Sequence, residues 1–184
     1  REIQKTALGA TESMNWEHRD SIVEVISEQK IYDRIISKSV YSRAPMRCSL
    51  SGGGTDLQAF YIKDVGKTIS LTIKKFVYCQ ITKHPKHEII VDTPDINQTI
   101  NVPDGDYESA LSKAPSNLAL ITLSKLKLDP GHKVKIWSDV IVGSGLASST
   151  AMVTAIIYAF DKYKGIYRSK NEAAELSFGI ERVS

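Results

Sequence analysis

Apolar and polar positions follow one spacing before about residue 39 and another after it. Between Met14 and Lys38, apolar side chains recur at helical spacing with charged residues on the opposite side. This spacing predicts an amphipathic helix, or two helices broken near Glu28–Lys30. Further along, stretches in which apolar and polar residues alternate predict strands. The pattern therefore divides the chain into a helical extension or linker, residues 1–38, and a mixed domain, residues 39–184.

The alternating stretches of the mixed domain predict its strands. The first ends at three successive glycines, and the second is long enough for one strand or two. In the last one, Val134 and Ile136 point inward and lysines point outward. The strand-like stretches are Val40–Leu50, Thr68–Thr82, Glu88–Asp92, Gln98–Val102 and His132–Asp139.

The remaining stretches of the mixed domain predict helices. Asp106–Leu128 has helical spacing with a break at Pro115, because proline cannot continue a helix. Thr150–Tyr163 is apolar almost all round, which predicts a buried helix. The sequence SKNE, Ser169–Glu172, is a capping box and predicts the start of a final helix. The apolar face of that helix comprises Ala173, Leu176, Ile180 and Val183.

Composition narrows the classes of function. The chain is 42% hydrophobic and 24% charged, as in ordinary soluble proteins, and its net charge of +3 with scattered lysines argues against nucleic acid as a partner. Cys48 and Cys79 predict small core residues in a reducing compartment, and the four histidines lack metal-ligand spacing. Without a membrane-length apolar run or a signal peptide, we expect a cytoplasmic protein. The start at Arg1 suggests a piece of a longer chain.

The stretch IVGSGLASST, Ile141–Thr150, joins the last strand to the buried helix. Glycines let a backbone approach a ligand closely, and the first amides of a helix lie at the positive end of its dipole. A neutral loop at that junction suits a polyphosphate, and serine hydroxyls can ligate Mg²⁺. The Walker motif is absent and the dinucleotide fingerprint lacks its third glycine. Spacing alone therefore leaves open a plain glycine-rich turn with serine caps.

Three stretches, in this order, resemble motifs of the GHMP kinases. SRAPMRCSLSGGGTDL, Ser42–Leu57, is similar to R-x-P-x-R-I-S-x-x-G-G-G-T-D of the branch that phosphorylates heptose phosphates and of the related fucokinases. GSGLASSTA, Gly143–Ala151, resembles the phosphate-loop motif P-P-G-x-G-L-G-S-S-A. EAAELSFGIERV, Glu172–Val183, resembles the helix with A-x-x-I-E-R that follows that loop.

The resemblance implies an α+β fold. It is the two-layer N-terminal domain of GHMP kinases (ribosomal protein S5 domain 2-like), with a mostly antiparallel sheet against helices. The implied activity is ATP- and Mg²⁺-dependent phosphorylation of a hydroxyl of a sugar or sugar phosphate. A heptose phosphate is the preferred acceptor because of GGGTD, with fucose second and mevalonate a distant third.

The resemblance also implies roles for individual residues. Arg47 would lie near the transferred phosphate and the substrate hydroxyl as a catalytic residue. Asp56 would hydrogen-bond sugar hydroxyls, and Ser149 and Glu181 would ligate Mg²⁺. The ATP phosphates would be bound by Gly143, Ser144, Gly145, Leu146, Ala147, Ser148 and Ser149. The substrate loop would comprise Arg47, Gly52, Gly53, Gly54, Thr55 and Asp56. Alternatively, Asp56 is a turn or helix cap, Arg47 a surface charge, and Glu181–Arg182 an exposed helix pair.

The sequence departs from the family pattern in two places. In the phosphate loop, Ile141–Val142 replace two prolines and Ala147 replaces a glycine, which would cost of order 1 kcal/mol if that residue needs a positive φ and would weaken ATP binding. The family's catalytic aspartate and C-terminal domain follow the E-R pair, whereas this sequence ends at Ser184. We therefore expect negligible turnover from these residues alone and a missing kinase domain as partner. A non-catalytic nucleotide- or sugar-binding remnant and a homodimer both stay open.

Overall fold

The computed structural model describes residues 39–55, 62–141 and 143–182, all within the compact unit Lys38–Ser184. The helix expected between Met14 and Lys38 lies outside the described residues, as do Asp56, Val142 and Val183.

The described residues form five strands and four helices. The strands are β1 (Val40–Ser51), β2 (Ile69–Lys83), β3 (Glu88–Thr93), β4 (Gln98–Pro103) and β5 (His132–Ser138). The helices are α1 (Tyr107–Lys113), α2 (Leu118–Leu126), α3 (Ser148–Lys164) and α4 (Lys170–Glu181). Each strand and helix expected within these residues is confirmed; Thr68–Thr82 is one strand, and the helical stretch breaks around Pro115. None of the described helices is long and apolar enough to cross a membrane.

The strands form a mixed sheet in the order β1-β2-β5-β3-β4. The pairs β1–β2, β2–β5 and β3–β4 are antiparallel, and β3–β5 is parallel. A parallel pair needs a long crossover connection, and here that connection contains β4, α1 and α2. The expectation of a mostly antiparallel sheet is therefore confirmed.

One face of the sheet is buried against the helices, which gives the two layers. Val134 and Ile136 point into the core as expected, with 0% and 3% of their surface exposed. Cys79 is also fully buried, which raises the pKa of its thiol, while Cys48 is half-buried. Helix α3 is buried on several sides because it contacts β1, β2, α2 and α4. Its buried apolar residues are Ala151, Val153, Ala155, Ile156, Ile157, Ala159 and Phe160.

Helix α4 begins with the predicted capping box. The Ser169 hydroxyl accepts a hydrogen bond from the Glu172 N–H at 3.2 Å, and the Glu172 carboxylate accepts one from the Ser169 N–H at 2.7 Å. The expected apolar face is confirmed within the described residues, since Ala173 and Ile180 are buried and Leu176 packs against the core. Ser177 is buried on the same helix, and its hydroxyl has no hydrogen-bond partner in the described part of the chain.

Candidate functional site

The loop between β5 and α3 has the backbone conformation that its glycines suggested. Gly143 and Gly145 have φ values of 85° and 73°, and a Cβ on either residue would meet no atom within 4 Å. Glycine is therefore favoured here by backbone conformation and not by lack of space. Ala147 also has a positive φ of 56°, so the condition for a cost of order 1 kcal/mol at this residue is met.

Helix α3 begins without a side-chain cap. Ala147 occupies the N-cap position, and no acidic side chain lies in the first turn. The helix has 17 residues, so its dipole places positive charge at this end, where the first amides have no partner within the helix. These amides are available to water or to an anion.

Strand β1 brings Arg47 to this loop. The register between β1 and β2 shifts between Pro45 and Arg47, and the Arg47 N–H donates a hydrogen bond to the Leu146 carbonyl at 3.2 Å. The residue itself is exposed. The backbone of Arg47, a positively charged residue, is thus hydrogen-bonded to the loop that precedes α3.

The glycine-rich segment after β1 forms a turn closed by Thr55. The Thr55 N–H and hydroxyl lie 3.1 and 2.8 Å from the Gly52 carbonyl oxygen, and the hydroxyl lies 3.1 Å from that of Lys67. Gly52 has a φ of 75°, and a Cβ there would lie 1.9 Å from the Lys67 oxygen, so only glycine fits. The turn continues the strand that carries Arg47, with Gly53 and Gly54 exposed.

The end of α4 meets the beginning of α3. The Thr150 hydroxyl lies 2.9 and 3.0 Å from the two carboxylate oxygens of Glu181. Thr150 and Glu181 line a cleft between α3 and α4. The neighbouring Ser149 is exposed and lines a separate cavity. Thr150 was not among the residues expected at the site, although one signal was available: the motif that this loop resembles has alanine at that position.

A cavity of about 570 Å³ opens beside the first turn of α3. Its lining includes Ser148 and Ser149 and apolar residues of β2, β5 and α3, among them Val77, Ile136 and Met152. No pattern in the sequence indicated this cavity, because its lining comes from segments that are distant along the chain.

The polar rim of this cavity is held by hydrogen bonds. The Asp95 carboxylate accepts one from the Ser138 N–H at 2.6 Å. Asn117 accepts one from the Leu120 N–H at 3.0 Å, which caps α2, and donates one to the Gln98 side chain at 3.1 Å. These hydrogen bonds hold the polar side chains that line the cavity in defined orientations.

Two oxygen donors expected to hold Mg²⁺ together with phosphates lie near the start of α3, in separate cavities. In the described part of the chain, no group of three or more His, Cys, Asp or Glu side chains could hold a metal ion. Mg²⁺ commonly takes only one or two protein oxygens and completes its shell with water and substrate phosphates. The Ser149 hydroxyl and the Glu181 carboxylate are oxygen donors of that kind.

Comparisons with known proteins agree with the resemblance seen in the sequence motifs. Residues 115–184 match the family profile described as GHMP kinases N terminal domain. The chain is 29% identical over 148 residues to a D-glycero-α-D-manno-heptose 7-phosphate kinase of Campylobacter jejuni, which covers 79% of this chain and 44% of that protein. It is 26% identical over 114 residues to a mevalonate kinase of Saccharolobus solfataricus, covering 61% of this chain and 36% of that one.

The fold gives the same result. A crystal structure of a D-glycero-D-manno-heptose 1-phosphate kinase from B. thetaiotaomicron superposes with a TM-score of 0.64 at 26% identity, covering 78% of this chain and 48% of that one. The described residues therefore have the fold of a GHMP kinase N-terminal domain, which confirms both the resemblance and the two-layer α+β fold. The chain spans less than half the length of these relatives.

Proposed function

We propose that this chain is the nucleotide-binding part of a kinase that uses Mg·ATP to phosphorylate a hydroxyl of a sugar or sugar phosphate. The observation that carries the proposal is the uncapped start of α3 beside a cavity of about 570 Å³. That volume suits a small-molecule site. The relatives are kinases, which supports phosphoryl transfer as the type of reaction.

The geometry supports ATP as the nucleotide. The adenosine would occupy the cavity, whose wall is apolar and whose rim offers oriented polar groups. Because Ser148 and Ser149 of the first turn of α3 line the cavity, the phosphates would lie against the first amides of α3. The positive φ values of Gly143 and Gly145 turn the loop around that point.

The charged residues support the remaining roles. Arg47, tethered at the loop, would neutralise charge that develops on the transferred phosphoryl group. Ser149 and Glu181 would hold Mg²⁺, which when bound neutralises the phosphates. The general base would be an aspartate in the additional sequence that the longer relatives possess. At the free end of the β1–β2 hairpin, Leu50, Ile69 and Leu71 are more than half exposed, a surface that a second domain would cover.

A heptose phosphate is the acceptor we propose first. The first four residues of the GGGTD segment, Gly52–Thr55, form a turn directly after the strand that carries Arg47, and two of the compared relatives are heptose phosphate kinases. Fucose is the second candidate, and mevalonate the third, since a mevalonate kinase is also similar. We propose a cytoplasmic protein, in line with the composition. The exposed apolar hairpin end is also the surface through which a homodimer would form.

The nucleotide site can be tested by calorimetric titration of Mg·ATP into the chain. We expect saturable, Mg²⁺-dependent binding that weakens about tenfold in Ser149→Ala, because a hydrogen bond or ligand bond to a charged group is lost. Ser112→Ala is the matched control, since Ser112 is an exposed helical serine in α1 whose hydroxyl donates to the Ser109 carbonyl. Absence of binding at millimolar ATP by a folded chain would contradict the proposal and favour a non-catalytic remnant.

The acceptor requires the full-length protein. A panel of heptose phosphates, fucose and mevalonate is offered with ATP, and ADP release is followed. We expect the highest kcat/KM with a heptose phosphate. A higher value for fucose or mevalonate would correct the acceptor without affecting the nucleotide site.

A further inference from the structure

The contact between α3 and α4 has a geometry that bears on metal binding. The Thr150 hydroxyl is almost equidistant from both carboxylate oxygens of Glu181, at 2.9 and 3.0 Å. It therefore occupies the side of the carboxylate on which a cation would be held by both oxygens at once. Thr150 is in the first turn of α3 and Glu181 is the last residue of α4, so both ends of the contact are fixed by helices.

The hydroxyl is not required by the fold itself. The motif that this loop resembles has alanine at the position of Thr150, so the same strand–loop–helix unit forms without a hydroxyl there. The buried residues of α3 nearest to Thr150 along the chain, Ala151 and Val153, are apolar. The contact between Thr150 and Glu181 is therefore better explained by a role at the metal site than by packing of the core.

We propose that Thr150 is a positioning residue that turns Glu181 to offer a single carboxylate oxygen to Mg²⁺, and thereby favours Mg²⁺ over Ca²⁺. This inference rests on the proposed function, in which Glu181 is a Mg²⁺ ligand. Mg²⁺ demands compact octahedral geometry, whereas Ca²⁺ readily accepts two oxygens from one carboxylate. A hydroxyl that holds the two-oxygen side disfavours the Ca²⁺ mode. Hydrogen bonds to ligating carboxylates commonly orient the ligand in this way.

The test compares Mg²⁺ and Ca²⁺ affinities of the chain saturated with a non-hydrolysable ATP analogue, measured by calorimetry. In Thr150→Ala we expect Mg²⁺ to bind about 10- to 100-fold more weakly, the usual effect of losing such a partner. Ca²⁺ affinity should stay unchanged or rise, so the preference for Mg²⁺ falls. Thr150→Ser should restore the wild-type ratio, and Thr150→Val, which keeps the shape, should behave like the alanine variant.

Thr154→Ala is the matched control, because Thr154 lies one turn further along α3 and lines the same cleft between α3 and α4. We expect it to leave the Mg²⁺/Ca²⁺ ratio unchanged. A purely structural role for Thr150 predicts instead a lower Tm with equal loss of both cations, and that result would overturn the inference.

Glu181→Gln separates this inference from the proposed function. If the wild-type chain binds no Mg·ATP, or if Glu181→Gln binds Mg²⁺ as well as wild type, the metal site itself is wrong and the inference falls with it. If Glu181→Gln loses Mg²⁺ while Thr150→Ala keeps the wild-type ratio, only the role of Thr150 is refuted.

Discussion

Helices α3 and α4 follow each other in the chain but begin in opposite ways. At the start of α4, Ser169 and Glu172 satisfy each other's backbone N–H groups, and these hydrogen bonds lower the pKa of the Glu172 carboxyl. At the start of α3, Ala147 offers no cap and no acidic residue lies in the first turn. When a helix's own side chains accept hydrogen bonds from its first amides, those amides are not available to an anion. The first amides of α3 have no such side-chain partner and can bind one.

The two helices also differ in what stabilises them. α3 can lack a cap because it is buried among β1, β2, α2 and α4, and tertiary packing supplies most of the stability of such a helix. α4 is shorter, with Ala173, Ser177 and Ile180 as its buried residues, so its cap matters more. The open end of α3 is thus tolerated by its packing, and it is where we place the ATP phosphates.

The largest expected effect comes from giving α3 the kind of start that α4 has. Ala147→Asp places a carboxylate where the phosphates would bind, and like charges in contact cost several kcal/mol. We expect Mg·ATP affinity to fall at least about 100-fold while the Tm is unchanged or higher. Ala147→Asn, nearly isosteric and neutral, should retain binding. Equal affinities of the Asp and Asn variants would mean that the phosphates do not approach this end of the helix.

The converse change removes the cap of α4. Ser169→Ala should lower the free energy of unfolding by about 1 kcal/mol, since it deletes a hydrogen bond to a first-turn amide. Chemical denaturation measures this change. Mg·ATP affinity, titrated in parallel, should stay at the wild-type value. A loss of affinity would show that the two helix starts are coupled.

A smaller change, a gain in stability, is expected from replacing Ala147 with glycine. Ala147→Gly removes the cost of holding a Cβ at a φ of 56°, although glycine gains entropy in the unfolded chain, so the net stabilisation is about 0.5 kcal/mol. Denaturant midpoints of the two proteins give the difference. Mg·ATP binding should be as tight as wild type or tighter. A destabilised glycine variant would mean that the alanine is not strained.

The smallest effect is a pH dependence confined to α4. Hydrogen bonds with Ser169 lower the folded-state pKa of Glu172 below its ordinary value of 4.5. The unfolded state therefore binds more protons than the folded state between the two pKa values. The stabilisation that Glu172 contributes is fully present above pH 4.5 and is lost as the pH falls through the folded-state pKa. Thermal unfolding of wild type and Glu172→Gln should show an advantage for wild type near neutral pH that shrinks in acid. A difference in Tm between the two proteins that does not change with pH would contradict a contribution of the Glu172 charge to stability.

Local patterns predicted what depends on neighbours along the chain. The capping box, the break at Pro115 and the alternation around Val134 and Ile136 each involve residues a few positions apart, so the sequence carries the full signal. The glycine spacing of the phosphate loop belongs to the same class. Helical periodicity also located the inner face of α4, although it did not indicate that the polar Ser177 is buried as well.

The sequence by itself determined the strands and helices of the described residues, because backbone preferences act over short distances. It also carries the glycine-rich loop at which we propose that the ATP phosphates bind. Only the tertiary structure decided which distant groups meet. It placed the Arg47 N–H on the Leu146 carbonyl, the Thr150 hydroxyl on Glu181, and the rim of the cavity beside α3. These contacts depend on how the sheet orders its strands and how α4 packs on α3, and packing of distant surfaces leaves no periodic trace in the chain.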